Sequence, residues 1–303
     1  MGSASFTIGL IQHACVEDRR VNLDQAVGGI REAASRGAQV ICLPELFGSE
    51  YFCKAESADR FSLAEPLCGP TVETLQPVAC ELETVLIVPI FERRAAGVYH
   101  NSAAVLDADG SLLGVYRKMH IPDDPLYYEK FYFTPGDAAG PGLGFRVFRT
   151  RWATLGVLIC WDQWYPEAAR ITSLLGAEVI FYPTAIGWHP AEKDTYGPGQ
   201  VDAWRTIQRS HAIANGVYVA AVNRVGHERE PGSDGIDFFG GSFICDPFGK
   251  IVTQAPADEP AVLVAECRRQ HMEEIRRNWP FLRDRRVDAY CPMAERVIDD
   301  SQR

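Results

Sequence analysis

The chain has no C-x-x-C pair, no two histidines four residues apart, and no apolar stretch long enough to span a bilayer. The first two absences remove the common zinc spacings and the third removes a transmembrane helix. Positive charge is also short: 30 Lys and Arg against 40 Asp and Glu leave a formal net charge of −10. A nucleic-acid footprint or a patch for anionic lipid needs the opposite excess, so the balance favours neutral or cationic ligands. The glycine-rich stretches 135–144 and 228–235 lack the Lys-Ser/Thr of a phosphate cradle. Met1-Gly2-Ser3-Ala4-Ser5-Phe6 has neither the basic start nor the apolar core of a secretory signal, and Phe6 stands where an acylation signal needs Ser or Thr. The nine cysteines are odd in number, as expected of reduced thiols, so a cytoplasmic location is the expectation.

What is present is enough for a large core. The 303 residues are 47% hydrophobic and 23% charged, and they alternate between strand-like and helix-like runs. Residues 6–12 read as a strand, 22–35 as a helix stopped near Gly37, and 39–44 as a buried strand, together a βαβ unit. A helix follows Gly69-Pro70, with Pro77 as a possible kink, and 85–90 is the next strand. Ala108-Asp109-Gly110 joins strands 99–107 and 111–118 as a hairpin. Beyond it come strands at 145–148 and 154–160, a helix at 166–175, a strand at 178–182, a helix at 201–215 and a strand at 217–223. Strands at 241–245, 251–254 and 261–266 and a helix at 271–278 complete the pattern. No linker or repeat divides it, so one α/β domain over 1–303 with a mixed sheet is expected.

Three of these strands end in reactive groups: Leu43-Pro44-Glu45, Tyr116-Arg117-Lys118 and Leu158-Ile159-Cys160. Ligands in α/β folds collect at the carboxyl ends of strands, so the three can share one crevice. Singly, each has an ordinary explanation as a cap, a surface charge or a buried thiol. Together they supply what hydrolysis through a thiol requires: a base, a cation for the oxyanion and a nucleophile. A helix start just after Cys160 is expected to favour its thiolate.

At this level of detail the chain resembles the nitrilase (carbon–nitrogen hydrolase) superfamily. The three segments, extended to Tyr116-Arg117-Lys118-Met119-His120 and Cys160-Trp161-Asp162, stand in the family's order. Glu129-Lys130-Phe131-Tyr132-Phe133-Thr134-Pro135-Gly136-Asp137 is similar to the stretch that carries a second active-site glutamate. Tyr182-Pro183-Thr184-Ala185, Ala214-Asn215-Gly216, Val222-Asn223-Arg224-Val225-Gly226 and Arg283-Asp284-Arg285-Arg286 extend the likeness over nearly the whole length. The resemblance implies a four-layer αββα sandwich that pairs into homo-oligomers, with a C-terminal tail near 279–303 packing on a partner subunit. It implies Glu45 as general base, Cys160 as nucleophile, Lys118 and the Trp161 backbone N–H as oxyanion donors, and Glu129 as an aid to the attacking water. It implies neither a metal nor an organic cofactor.

Within that superfamily the run Ile159 to Arg170, with Glu50-Tyr51-Phe52-Cys53 and Ile121-Pro122-Asp123-Asp124, is similar to the N-carbamoylputrescine amidases. The resemblance implies a ureido substrate with a cationic amine at its far end, which carboxylates and aromatic faces would hold. Asp123, Asp124, Tyr51, Trp161 and Trp164 are the candidates. Trp188-His189-Pro190 departs from the Ser-Glu-Pro of many such enzymes, which makes Trp188 either a pocket wall or a packed loop anchor and brings His189 under consideration. A β-ureidopropionase-like enzyme would need a cation for a substrate carboxylate, from Arg224 or His189. A simple aliphatic amidase or nitrilase would need only an apolar pocket. A catalytically silent oligomeric interaction protein would need none of Glu45, Lys118 and Cys160.

Overall fold

Alternation of short β-branched runs with amphipathic helices produces two βαβαβ units, each of which builds the centre of its own sheet. The computed structural model describes residues 3–138, 140 and 144–298. The reading of Met1 and Gly2, part of the 135–144 stretch and the end of the tail lie outside the described residues. The first unit runs β1 (Ser5–Gln12), α1 (Arg19–Ser35), β2 (Val40–Cys42), α2 (Pro70–Leu82) and β3 (Val85–Ala95). A meander through β4 (Val98–Leu106) and β5 (Leu112–Arg117) follows, and then the single-turn α3 (Glu129–Tyr132). The second unit begins with the edge strand β6 (Val147–Arg149), followed by β7 (Thr154–Val157), α4 (Pro166–Leu174) and β8 (Val179–Pro183). The two-residue β9 (Gly187–Trp188), α5 (Lys193–Asn215) and β10 (Tyr218–Val222) complete it. The chain closes with β11 (Val225–Glu228), β12 (Ile236–Phe239), β13 (Phe243–Cys245), β14 (Ile251–Gln254), β15 (Ala261–Arg268) and α6 (Arg269–Asn278).

The sheets have the orders β15-β1-β2-β3-β4-β5 and β14-β13-β10-β8-β7-β6. Each is parallel at its centre and antiparallel at its edges. Their inner faces share one core, in which Ile8, Val40, Ile87 and Val105 meet Leu155, Val157, Phe181 and Val219. Ala26, Ile30 and Ala33 of α1 and Val72 and Leu75 of α2 cover the outer face of the first sheet. On the second sheet Gly156 lets α4 approach closely, since a Cβ there would sit 2.3 Å from Thr172 Cγ2. The result is the four-layer αββα sandwich.

Several expectations from the sequence change at this level. α5 starts at Lys193, eight residues before the expected Val201, and carries Pro198 inside it. That early start is stabilised by Trp188, whose ring lies on Gly197 and whose Nε1 donates to Gly197 O (3.3 Å). The strand expected to reach Cys160 ends at Val157, because the Ile159 N–H turns to the Asp162 carboxylate. A third sheet, β11-β12-β9, had no sequence signal. Its strands span two to four residues, too short for a periodicity to register.

Candidate active site

Four elements that never adjoin in sequence deliver the reactive groups to one point. Glu45 sits in the irregular turn after β2, Lys118 directly follows β5, Glu129 opens α3, and Cys160 opens a 3-10 turn after β7. The ammonium of Lys118 donates to Glu45 Oε1 (2.8 Å) and to Glu129 Oε2 (2.7 Å), with all three side chains buried. A cation between two carboxylates leaves one net negative charge in a dry site, which is tolerable only because every charge has a close partner. Asn101 on β4 donates to the same Glu45 oxygen (2.6 Å), and Tyr51 Oη donates to Glu129 Oε1 (2.7 Å). Glu45 Oε2 is buried with no hydrogen-bond partner among the described residues. An unengaged carboxylate oxygen is what a proton acceptor needs.

Burial sets the electrostatics. It pushes Glu129 up to about 7, aided by the Glu45 charge and opposed by Lys118. Burial alone would depress the Lys118 ammonium, but Glu129 and Glu45 hold it well above the ordinary lysine range. The Cys160 thiol is driven well above its usual range, first by burial and then by the Glu45 charge, with Lys118 working against both. This corrects the expectation of a favoured thiolate: Cys160 is followed by a five-residue 3-10 turn, not by an α-helix. A thiol in this setting requires a base to activate it.

The turn that presents Cys160 is strained and strongly braced. Cys160 has φ +44°, a conformation that costs a side-chain-bearing residue about 1–3 kcal/mol. Among the described non-glycine residues only Leu46, Glu83, Leu126 and Cys160 have positive φ. Leu46 follows Glu45, and Leu126 and Cys160 both line the cavity described below. Asp162 supplies the brace: it accepts from the Ile159 N–H (2.9 Å), Tyr116 Oη (2.7 Å) and the His120 N–H (3.0 Å), and its Oδ1 lies 2.6 Å from His120 Nδ1. One buried carboxylate thereby ties the segment just past Lys118 to the turn bearing Cys160. From the other side, Trp204 Nε1 on α5 donates to Gln163 Oε1 (2.8 Å), and His211 lies 2.8 Å from Gln163 O.

Cys160 and Glu129 open into a cavity of about 780 Å³. Its walls include Asp124, Trp161, Trp164, His189, Glu192 and Asp234. Of the residues expected to touch substrate, Asp124, Trp164 and His189 are in this lining, as is Trp161. Asp123, Trp188 and Tyr51 are not. Asp123 is exposed, Trp188 packs on Phe239 and α5, and Tyr51 is fully buried beneath Glu129. Sequence reasoning missed Asn101, Asp162, Glu192 and Asp234. Asp162 stood in plain view beside Cys160, whereas Asn101 carries no local signal because only strand pairing sets it opposite Glu45. Arg224, a candidate partner for a substrate carboxylate, is fully buried and engaged with backbone carbonyls and Glu228. Among the described residues no group of three or more His, Cys, Asp or Glu is placed to hold a metal ion, and none of their helices is long and apolar enough to cross a membrane.

Comparison with known proteins gives the family. The carbon-nitrogen hydrolase family model matches residues 7–277. An N-carbamoylputrescine amidase from Solanum tuberosum is 46% identical over 288 residues, 94% of this chain and 93% of that protein. A citrullinase from Francisella tularensis is 39% identical over 290 residues, covering 95% of this chain and 97% of the relative. The crystal structure of a carbon-nitrogen hydrolase from Helicobacter pylori superimposes with a TM-score of 0.92 at 43% identity, covering 97% of this chain and 100% of the other. The chain belongs to the carbon-nitrogen hydrolase family.

Proposed function

We propose that the protein hydrolyses the ureido C–N bond of N-carbamoylputrescine, yielding putrescine, carbon dioxide and ammonia. The observation that carries this reading is a thiol beside a buried Glu–Lys–Glu set, at the foot of a cavity whose wall holds Asp124, Glu192 and Asp234 and no lysine or arginine among its described lining residues. In the mechanism, Glu45 takes the Cys160 proton as Sγ attacks the ureido carbon. The oxyanion forms against the Lys118 ammonium and the Trp161 N–H. Glu45 passes the proton to the departing nitrogen, the C–N bond breaks, and a thioester-type carbamoyl enzyme remains. Water, deprotonated by Glu45 and steadied by Glu129, then attacks the carbamoyl carbon; the C–Sγ bond breaks, Glu45 returns the proton to the thiolate, and the released carbamic acid decomposes to carbon dioxide and ammonia. No step calls on a metal or organic cofactor.

At the far end the acidic wall suits the distal ammonium of a carbamoyl diamine. A β-alanine-type carboxylate has no Arg224 to meet, since that guanidinium is fully buried outside the cavity lining with both terminal nitrogens engaged. His189 on the same wall favours one second reading, a ureido amino acid such as citrulline, whose distal end carries both charges. The deciding experiment is ammonia release from carbamoylputrescine, citrulline, carbamoyl-β-alanine, a simple amide and a nitrile. Carbamoylputrescine is expected to have the highest kcat/KM, and a preference for citrulline would replace this reading with the second.

The finer expectations of a homo-oligomer and a cytoplasmic location belong to the same proposal. Ile171 and Leu174 of α4 and Leu175 just beyond it, with Trp279, Phe281 and Met293 of the tail, expose apolar surface that a second subunit would cover. Light scattering that returned a monomer at micromolar concentration would remove the oligomer.

A further inference from the structure

Beneath the Glu–Lys–Glu set lies a second buried ionic cluster. Arg224, between β10 and β11, is 0% exposed and spreads its guanidinium across the turn that carries Glu45. Nη2 donates to Glu45 O (2.7 Å) and Leu46 O (3.0 Å), while Nη1 donates to Ser49 O (3.3 Å) and Glu228 Oε1 (2.8 Å). The other oxygen of Glu228 accepts from the Tyr51 N–H (2.6 Å) and from Lys54 Nζ (3.1 Å). Tyr51 is the residue whose hydroxyl holds Glu129. The guanidinium stacks at 5.3 Å on Phe238 of β12, so the clamp is anchored in the small third sheet.

The turn it grips has little regular structure of its own, and Leu46 has φ +50°. We propose that Arg224, paired with Glu228, is a positioning residue for the reaction: it fixes the backbone under Glu45 and, through Tyr51, the carboxylate of Glu129. A planar fork with several donors can bridge three carbonyls and a carboxylate at once, which a single ammonium cannot. Its charge also acts on Glu45 through the dry interior, and Glu228 offsets that charge. This inference rests on the reading of Glu45 as the base.

Other groups face Glu45 as well. Lys118 approaches from the end of β5, Glu129 from α3 and Cys160 from the 3-10 turn, while Tyr51, Cys53 and Tyr127 feel its charge from the surrounding loops. None of them changes in the following test.

Arg224→Lys keeps a cation and loses the fork. kcat should fall about 10- to 100-fold, with KM changing less than about threefold. Arg224→Gln removes the cation, so the acid limb of the kcat/KM profile should move up by about 0.5–1 pH unit. Glu228→Gln keeps the shape and unmasks Arg224, so the limb should move down. Limbs that stay in place, or that move in the same direction in both variants, overturn the proposal. So does a folded Arg224→Lys enzyme with an unchanged kcat. If Arg224→Gln is recovered only unfolded, the downward shift in Glu228→Gln together with the kcat loss in Arg224→Lys decides the matter. Glu45→Gln separates the two layers. An active Glu45→Gln enzyme removes the base and this inference together, whereas an inactive one with unmoved limbs removes only the role of Arg224.

Discussion

The two ends of the cavity are built on different physical terms. At the floor, Glu45, Lys118 and Glu129 are essentially inaccessible and paired at 2.7–2.8 Å, on the turn after β2, the end of β5 and the start of α3, beside the braced turn that carries Cys160. At the rim, Asp124, Glu192 and Asp234 are exposed and stand on loops or at the start of a helix. A misplaced charge in the floor costs several kcal/mol, so its geometry is over-determined. A charge at the rim is solvated and screened, and changing it alters affinity by small steps. The comparison implies a fixed chemistry below and an adjustable selection above.

Removing the proposed nucleophile should break the floor most completely. Cys160→Ser is expected to lower ammonia release by about 10⁴-fold or more, because a hydroxyl is the weaker nucleophile and the site is arranged for sulfur. Full activity in that variant would dismiss the mechanism. Lys118→Met comes next. It leaves two carboxylates facing each other in a dry pocket and should cost about 3–5 kcal/mol of stability by urea unfolding, along with activity. An unfolding midpoint equal to that of the wild type would mean that Lys118 does not offset the repulsion between Glu45 and Glu129.

Glu129 tests the floor through pH. Its native carboxyl titrates near 7 rather than at the ordinary 4.5, so between those values the native state binds a proton that the unfolded chain has released. Stability therefore falls as pH rises from about 4.5 to 7. In Glu129→Gln, melting curves across this window should lose that slope. An unchanged slope would assign it to other groups.

The rim should respond more gently. Asp124→Asn or Glu192→Gln is expected to raise KM for carbamoylputrescine about threefold to tenfold, with little effect on an uncharged alkylurea. Equal effects on both substrates would sink recognition of the amine. Smallest of all, Trp188→Phe deletes the bond to Gly197 O and should cost about 1 kcal/mol in thermal unfolding while leaving KM within about twofold. A large KM change there would bring Trp188 into the substrate path.

How much was legible in advance varies with the range of the forces involved. The βαβ units, the hairpin at Ala108-Asp109-Gly110 and the helix stop near Gly37 follow from local periodicity and turn chemistry, and the structure retains them. In the third sheet the two-residue β9 exists only through pairing between Gly187–Trp188 and residues some 50 positions away, and β11 and β12, which pair with each other, are too short for a periodicity to register. Tyr51 and Trp188 show the same limit at the site. Their identity as aromatics near reactive residues suggested contact with substrate, but packing turned one beneath Glu129 and the other onto α5.

By itself, then, the sequence determined which candidate groups exist and in what order along the chain: Glu45, Lys118 and Cys160 at the ends of expected strands, and Glu129 in a stretch that only the family resemblance singles out. Tertiary structure decided their states. Only folding places one ammonium between two carboxylates, leaves Glu45 Oε2 unengaged, raises the Cys160 thiol and holds a guanidinium under Glu45. Local propensity acts over a few residues, whereas desolvation and Coulomb energy depend on what the fold brings within a few ångströms from 50 to 180 positions away.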